Sequence, residues 1–409
     1  MTPFLQLAFS LAIIIAAAKL GGYLSIRIGQ PAVLGELIVG IILGPSVLNL
    51  LGTPYFTDQH LLEVIHQMAE MGVLLLMFLA GLELHLSDLL HSGKVAALAG
   101  TFGVILPLAL GTMTGVLFAM DIQPAIFIGL ILSATSVSIS AQTLMELKVL
   151  RSRVGIGLLG AAVFDDILVL LGLSVFTALT QPTSGAGLIS ILSTVLKMAL
   201  FLGLASAIGW WAFPRLSRQI SSLPVSQGLI GFTFVTILLY GWSAEMIGQM
   251  AAITGAFMAG LWLGRTPEKE RIHNGIATIA YGVFVPIFFI NIGLSANARE
   301  LNWESGLLML AMVLVAVISK VLGSGYGAFL GGLTRREAIQ LGVGMISRGE
   351  VGLIVAAIGI EQGLIQDSTF SAVVGVVILT TVLTPLLLRA LYPKIQTAQA
   401  KAQNTAEGV

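Results

Sequence analysis

The 409 residues include no cysteine, which removes disulfides, iron–sulfur clusters and thiolate zinc sites from consideration. Charge is scarce as well: Asp, Glu, Lys and Arg make up 10% of the chain, against about 25% in soluble domains. Twenty basic and twenty acidic side chains cancel, so no net charge points to nucleic acid or to an acidic partner. The five histidines (His60, His66, His85, His91 and His273) form no H-x-x-x-H pair for a metal. No Gly-x-x-x-x-Gly-Lys-Ser/Thr loop is present to cradle nucleotide phosphates. What fills the chain is apolar: 56% hydrophobic residues, a mean hydropathy of +0.98 and 47 glycines, the composition of closely packed transmembrane helices.

The first apolar run, residues 4–20, has no basic n-region before it and no small-residue cleavage pattern after it. It is expected to be a retained span rather than a signal peptide. Thirteen helical spans are predicted, near 3–21, 32–50, 62–82, 94–119, 124–145, 154–180, 187–213, 227–243, 247–265, 275–295, 304–331, 336–361 and 369–391. The positive-inside rule tests that count. Alternate connections hold Arg27; Lys94; Lys148, Arg151 and Arg153; Arg215 and Arg218; Arg265, Lys269 and Arg271; Arg335 and Arg336, with Arg389, Lys394 and Lys401 at the C-terminal end. The opposite connections hold only Arg299. Fifteen against one would not survive a missed helix, which would scramble the alternation. The N-terminus is expected outside and the C-terminus in the cytoplasm.

A repeat runs through these spans. Ala32-Val33-Leu34-Gly35 … Gly40 … Leu43-Gly44 recurs as Ala252-Ile253-Thr254-Gly255 … Gly260 … Leu263-Gly264, at an offset of 220. Gly72-Val73 … Phe78 is echoed, more weakly, by Gly282-Val283 … Phe288. Units seven spans apart have opposite orientation in the membrane, the inverted-repeat architecture of many secondary transporters. Spans one to six then match eight to thirteen, with 187–213 as connector.

Asp165 and Asp166 lie in the middle of the uncharged stretch 154–180. Each intramembrane carboxylate costs about 2.5–3.5 kcal/mol even on a lenient insertion scale, so such groups normally serve ions or protons. Lys320 is similarly isolated, with no other charge between residues 307 and 334. A buried lysine needs a carboxylate or it loses its proton, and Asp165 or Asp166 supplies the only acid pair at that depth. The fifth span carries five hydroxyls in eight residues, Ser133-Ala134-Thr135-Ser136-Val137-Ser138-Ile139-Ser140. Its repeat counterpart reads Gly344-Met345-Ile346-Ser347-Arg348-Gly349-Glu350-Val351-Gly352. Both are poor continuous helix, because hydroxyls compete for backbone bonds and glycine relaxes the chain. Matching interruptions in two halves point to a transport site. Arg348 and Glu350 either compensate the half-helix ends there or form a structural ion pair.

The combination resembles a known family. Gly35-Glu36-Leu37-Ile38-Val39-Gly40-Ile41-Ile42-Leu43-Gly44-Pro45, Phe78-Leu79-Ala80-Gly81-Leu82-Glu83, Ala134-Thr135-Ser136-Val137-Ser138, Phe164-Asp165-Asp166, Lys320 and Arg348-Gly349-Glu350 are similar to the second family of bacterial monovalent cation:proton antiporters, the thirteen-span sodium/proton exchangers. The resemblance implies an all-α polytopic fold of thirteen transmembrane helices, built of inverted six-helix repeats with two broken, crossing helices. It implies a homodimer in membrane lipid, with an interface bundle (1–93 and 215–303), a mobile core (94–181 and 304–391), a connector (182–214) and a cytoplasmic tail (392–409). It makes Asp166 the main sodium-binding carboxylate and pairs Asp165 with Lys320. Thr135 and Ser136 flank the site, the Thr135 hydroxyl as a second sodium ligand. The glutathione-gated potassium efflux members look similar but carry a nucleotide-binding domain and Gln-Asp in place of Asp165-Asp166; neither is expected here.

The resulting expectation is a secondary, electrogenic sodium/proton antiporter without cofactor, in which protons and the cation compete for one site. A potassium/proton antiporter is the near alternative. A channel wants several weak sites along an open path, and an intramembrane aspartyl protease wants facing carboxylates, whereas neighbours on one helix diverge by about 100°.

Overall fold

The computed structural model describes residues 2–84, 92–180, 187–294, 299, 303–361 and 363–392. His85, His91 and nearly all of the expected tail lie outside them. Among the described residues every regular element is helical. Helices α1 (Pro3–Arg27), α2 (Ala32–Leu43), α3 (Leu61–Glu83), α4 (Gly93–Leu117), α5 (Ile122–Ser133), α6 (Val137–Glu146) and α7 (Arg153–Thr180) form the first half. Two helices follow, α8 (Gly187–Trp211) and α9 (Phe213–Ser221). The rest are α10 (Gly228–Met246), α11 (Ala252–Leu263), α12 (Lys269–Ile279), α13 (Val285–Leu294), α14 (Trp303–Leu330), α15 (Arg335–Gly344), α16 (Glu350–Glu361) and α17 (Asp367–Leu391). Among the described residues ten helical stretches, counting α5–α6 and α12–α13 as one each, are long and apolar enough to cross a membrane, and α2 and α11 are shorter apolar helices.

Local chemistry sets the ends. At α1 the Thr2 hydroxyl accepts from the Leu5 N–H and Pro3 takes the first helical position, where its missing N–H costs nothing. Thr334 and Glu337 close a reciprocal capping box on α15. Three boundaries depart from the sequence expectation. The second span stops at Leu43 rather than 50, because Gly44 precedes Pro45 and takes an extended conformation. The tenth is not a uniform helix: a π turn, Ala280–Phe284, joins α12 to α13. The Val285 N–H bonds the Ala280 carbonyl there, and Pro286 has no N–H to offer Tyr281. Finally, α9 is an additional helix that buries Phe213 and Ser217 on one face and exposes Arg215 and Arg218, the pattern of a segment lying at the membrane surface.

The helices gather into two groups. In one, α3 packs on α11 and α13, and α2 packs on α1 and α13. In the other, α4 packs on α5, α7 and α14, and α14 on α15 and α17. Glycine permits the tightest crossings in the first group. A methyl on Gly40 of α2 would run into the Ile290 carbonyl of α13, and one on Gly260 of α11 into the Phe78 carbonyl of α3. Outward faces are apolar: Leu192, Leu196, Leu200, Leu204 and Ile208 form an i, i+4 stripe along α8 that suits lipid. Arg265 stacks over Trp210 and Trp262 at 4.1 and 5.4 Å, an aromatic and basic cluster typical of the membrane–water boundary.

Candidate ion-binding site

Two helix breaks meet in the second group. Between α5 and α6, residues 134–136 are non-helical, with Ala134 and Ser136 extended. Between α15 and α16 the non-helical stretch is 345–349. The Ser136 N–H donates to the Ser347 carbonyl at 2.8 Å, and the Ser347 hydroxyl donates to the Ser136 carbonyl at 2.6 Å. The Ser140 hydroxyl donates to the Gly344 carbonyl. Hydroxyls that weaken each helix thus rejoin the freed backbone groups across the crossing, leaving fewer orphans in a water-poor interior. A methyl on Gly349 would collide with the Ser136 side chain.

Arg348 is 1% exposed. Its guanidinium donates to the carbonyls of Met345 at 3.2 Å and Ile346 at 3.0 Å, just past the last turn of α15. A fixed cation therefore sits at the negative end of that half-helix. Its backbone is tied to α17 by Thr380 and Thr381. Glu350 starts α16, but its side chain lies outside the described residues, and so does any pairing with Arg348.

Lys320 on α14 reaches Asp165 on α7: Nζ to Oδ1 is 2.7 Å, with both side chains wholly buried. That geometry assigns the lysine to the first aspartate. The other carboxylate oxygen, Asp165 Oδ2, and the Thr135 hydroxyl at the α5–α6 break are both buried with no partner in good hydrogen-bonding geometry, and the Thr135 side chain is a close neighbour of the Asp165 carboxylate. Two buried orphan oxygens of this kind suit a proton or a small hard cation, since leaving them unmet costs about 1–3 kcal/mol each.

Asp166, one residue on, points elsewhere, as the turn of about 100° per residue requires. It is 6% exposed and lines a narrow pocket with Met77, Val137, Leu159, Ile253, Thr254 and Phe257. The Thr254 hydroxyl lies 3.4 Å from Asp166 Oδ2. Thr254 belongs to α11, so this carboxylate faces across the boundary between the two helix groups. The sequence reading overlooked Thr254. Its signal was present in the repeat, where a hydroxyl stands in place of the apolar Leu34.

Crossing broken helices around a buried carboxylate–ammonium cluster are the arrangement of an ion-transporting membrane protein, not of an enzyme. A family model described as sodium/hydrogen exchanger, transmembrane, matches residues 13–392, and the chain belongs to that family. It is similar to the Na(+)/H(+)-K(+) antiporter GerN of Bacillus cereus, 38% identical over 381 residues that span 93% of this chain and 95% of that protein. The Na(+)/H(+) antiporter of Enterococcus hirae is 36% identical over 385 residues, 94% and 98% of the two chains. In fold it resembles the sodium proton antiporter MjNhaP1 of Methanocaldococcus jannaschii at pH 8, with a TM-score of 0.62 at 17% identity over 96% of this chain and 99% of the other.

Proposed function

We propose that this protein is a secondary sodium/proton antiporter in which protons and a sodium ion compete for the Asp165–Asp166 site. The carrying observation is the division of labour between adjacent carboxylates. Asp165 is held by Lys320 at 2.7 Å, while Asp166 faces the opposing helix group beside Thr254. Sodium arriving from the cytoplasm displaces a proton from Asp166, with the Thr135 hydroxyl as a further ligand and Ser136 shaping the break beside it. Binding loosens the Asp165–Lys320 pair; the core shifts against the interface bundle, releases sodium outside and returns protonated. Arg348 stays on the α15 carbonyls and steadies the crossing, and Glu350, at the start of α16, supplies the opposite charge for the other half-helix end. No cofactor enters the cycle. Lys320 gives up the second proton as its pair with Asp165 opens, so two protons exchange for one sodium and the cycle is electrogenic.

The architecture we infer has thirteen spans. They are the ten long stretches, α2, α11 and the broken α15–α16 pair. Inverted repeats are supported by the glycine contacts, where Gly40 of the first half abuts α13 of the second and Gly260 of the second abuts α3 of the first. The two helix groups correspond to an interface bundle (1–93, 215–303) and a mobile core (94–181, 304–391), joined by 182–214 and followed by the tail from 392. The interface bundle mediates a homodimer in the inner membrane, with the N-terminus outside and the C-terminus cytoplasmic.

Proton and sodium flux in proteoliposomes at a controlled membrane potential tests this reading. Coupled counter-movement supports it; uncoupled sodium current or no flux overturns it. The name of the Bacillus relative includes potassium, so the same assay run with potassium distinguishes the alternative cargo.

A further inference from the structure

Away from the aspartates, a cavity of about 450 Å³ opens where the α1–α2 turn, the C-terminal end of α6 and the C-terminal end of α17 come together. It lies on the face that the basic connections make cytoplasmic, at the boundary between the two helix groups. Glu146 at the end of α6 accepts from the backbone N–H groups of Ala32 at 2.6 Å and Val33 at 3.3 Å, so its charge rests on the positive end of α2. Lys19 donates to the Tyr281 carbonyl at 2.6 Å, the one that the π turn and Pro286 leave without a helical partner. Arg389 donates to the Gly29 carbonyl at 3.0 Å.

Each of these three charges is committed to the backbone. Glu36 is not. It is 8% exposed and lines the cavity, with no hydrogen bond within 3.5 Å and no ion pair within 4 Å among the described residues. Gln142 lines the same cavity. Its amide nitrogen donates to Glu146 at 2.9 Å, which leaves its side-chain carbonyl buried and unpartnered. A carboxylate without a hydrogen bond and an amide oxygen left unpartnered form an oxygen-only pair suited to a hard cation.

We propose that this cavity holds a second, outlying monovalent-cation site, with the Glu36 carboxylate as its charged ligand and the Gln142 carbonyl as a neutral one, where sodium lodges before reaching Asp166. The proposal rests on the antiport reading above. Its function is to concentrate the cation at one face, so its effect is one-sided: removing it weakens capture from the cavity face and leaves the central site untouched.

The test is sodium-dependent exchange measured separately in everted and right-side-out membrane vesicles, with sodium chloride as the probe. Glu36→Gln keeps the shape and removes the charge. It should raise the sodium half-saturation at the cavity face about tenfold, the equivalent of about 1.4 kcal/mol, with the maximal rate and the half-saturation at the opposite face unchanged. Gln142→Leu, which leaves Glu36 in place, should raise it in the same one-sided way by a smaller factor, and decides the matter should Glu36→Gln not fold. Unchanged half-saturation in both variants, or equal rises at both faces, overturns the outlying site. Failure of the parent protein to exchange from either face would instead overturn the antiport reading itself.

Discussion

Ser136 and Ser347 hold each other's backbone, one through an N–H to carbonyl bond of 2.8 Å and the other through a hydroxyl to carbonyl bond of 2.6 Å. The two broken helices are therefore one unit at their crossing. Ser347→Ala would strand the buried Ser136 carbonyl and should lower stability by about 1–3 kcal/mol. Gly349→Ala drives a methyl into the Ser136 side chain at the crossing and should lower both stability and activity. Thermal unfolding in detergent and exchange in vesicles measure the two effects. A Ser347→Ala variant as stable as the parent would show that the crossing does not depend on this pair.

Lys320→Ala should harm stability as well as transport. Removing one partner of a buried ion pair typically costs about 3–5 kcal/mol, and less where the remaining carboxylate takes up a proton. Adding Asp165→Asn to the Lys320→Ala background should then cost little more, since the charge left behind is the one removed. Fully additive losses across the four proteins would contradict the 2.7 Å contact.

The buried charges of the candidate site can be picked out of the sequence because Asp165, Asp166, Lys320 and Arg348 stand out against uncharged stretches, where each charge demands a partner or a task. The breaks were legible for a related reason: serines and glycines cluster where helix is weakest. The choice of Asp165 rather than Asp166 for Lys320 was not decided by the residue pattern alone, since neighbours on a helix differ by direction and direction is set by packing. Thr254 was missed because one hydroxyl in an apolar helix ordinarily bonds its own backbone; only its position in the repeat marks it. The π turn was missed because it arises from Pro286 within a packed helix, and α9 because its amphipathic face directly continues an apolar one.

Asp166→Asn should abolish exchange while leaving the protein folded, since it removes the carboxylate proposed to hold sodium and keeps the shape of the side chain. Sodium should then lose most of its stabilising effect on thermal unfolding, because ligand stabilisation follows occupancy of the site. Thr254→Val removes the hydroxyl 3.4 Å from Asp166 and should weaken sodium binding by about fivefold, an interaction of about 1 kcal/mol, with exchange retained. Full sodium-dependent stabilisation and near-parental exchange in Asp166→Asn would exclude it as the binding carboxylate.

The last prediction concerns voltage. Two carboxylates and one ammonium at the site allow two protons to be exchanged for each sodium, with Lys320 as one proton carrier and Asp166 as the other. That cycle moves one net charge, so a membrane potential should drive it. One charge across the membrane corresponds to about 2.3 kcal/mol per 100 mV. At about 1.4 kcal/mol per decade this sustains ~1.6 decades of sodium gradient with no pH difference. The measurement is sodium efflux from proteoliposomes under a potassium–valinomycin potential at equal pH on both sides, with efflux expected to accelerate as the interior is made more negative. A one-for-one exchanger gains nothing from voltage. Efflux indifferent to the potential would make the exchange electroneutral and leave Lys320 as the structural partner of Asp165, without a proton to carry.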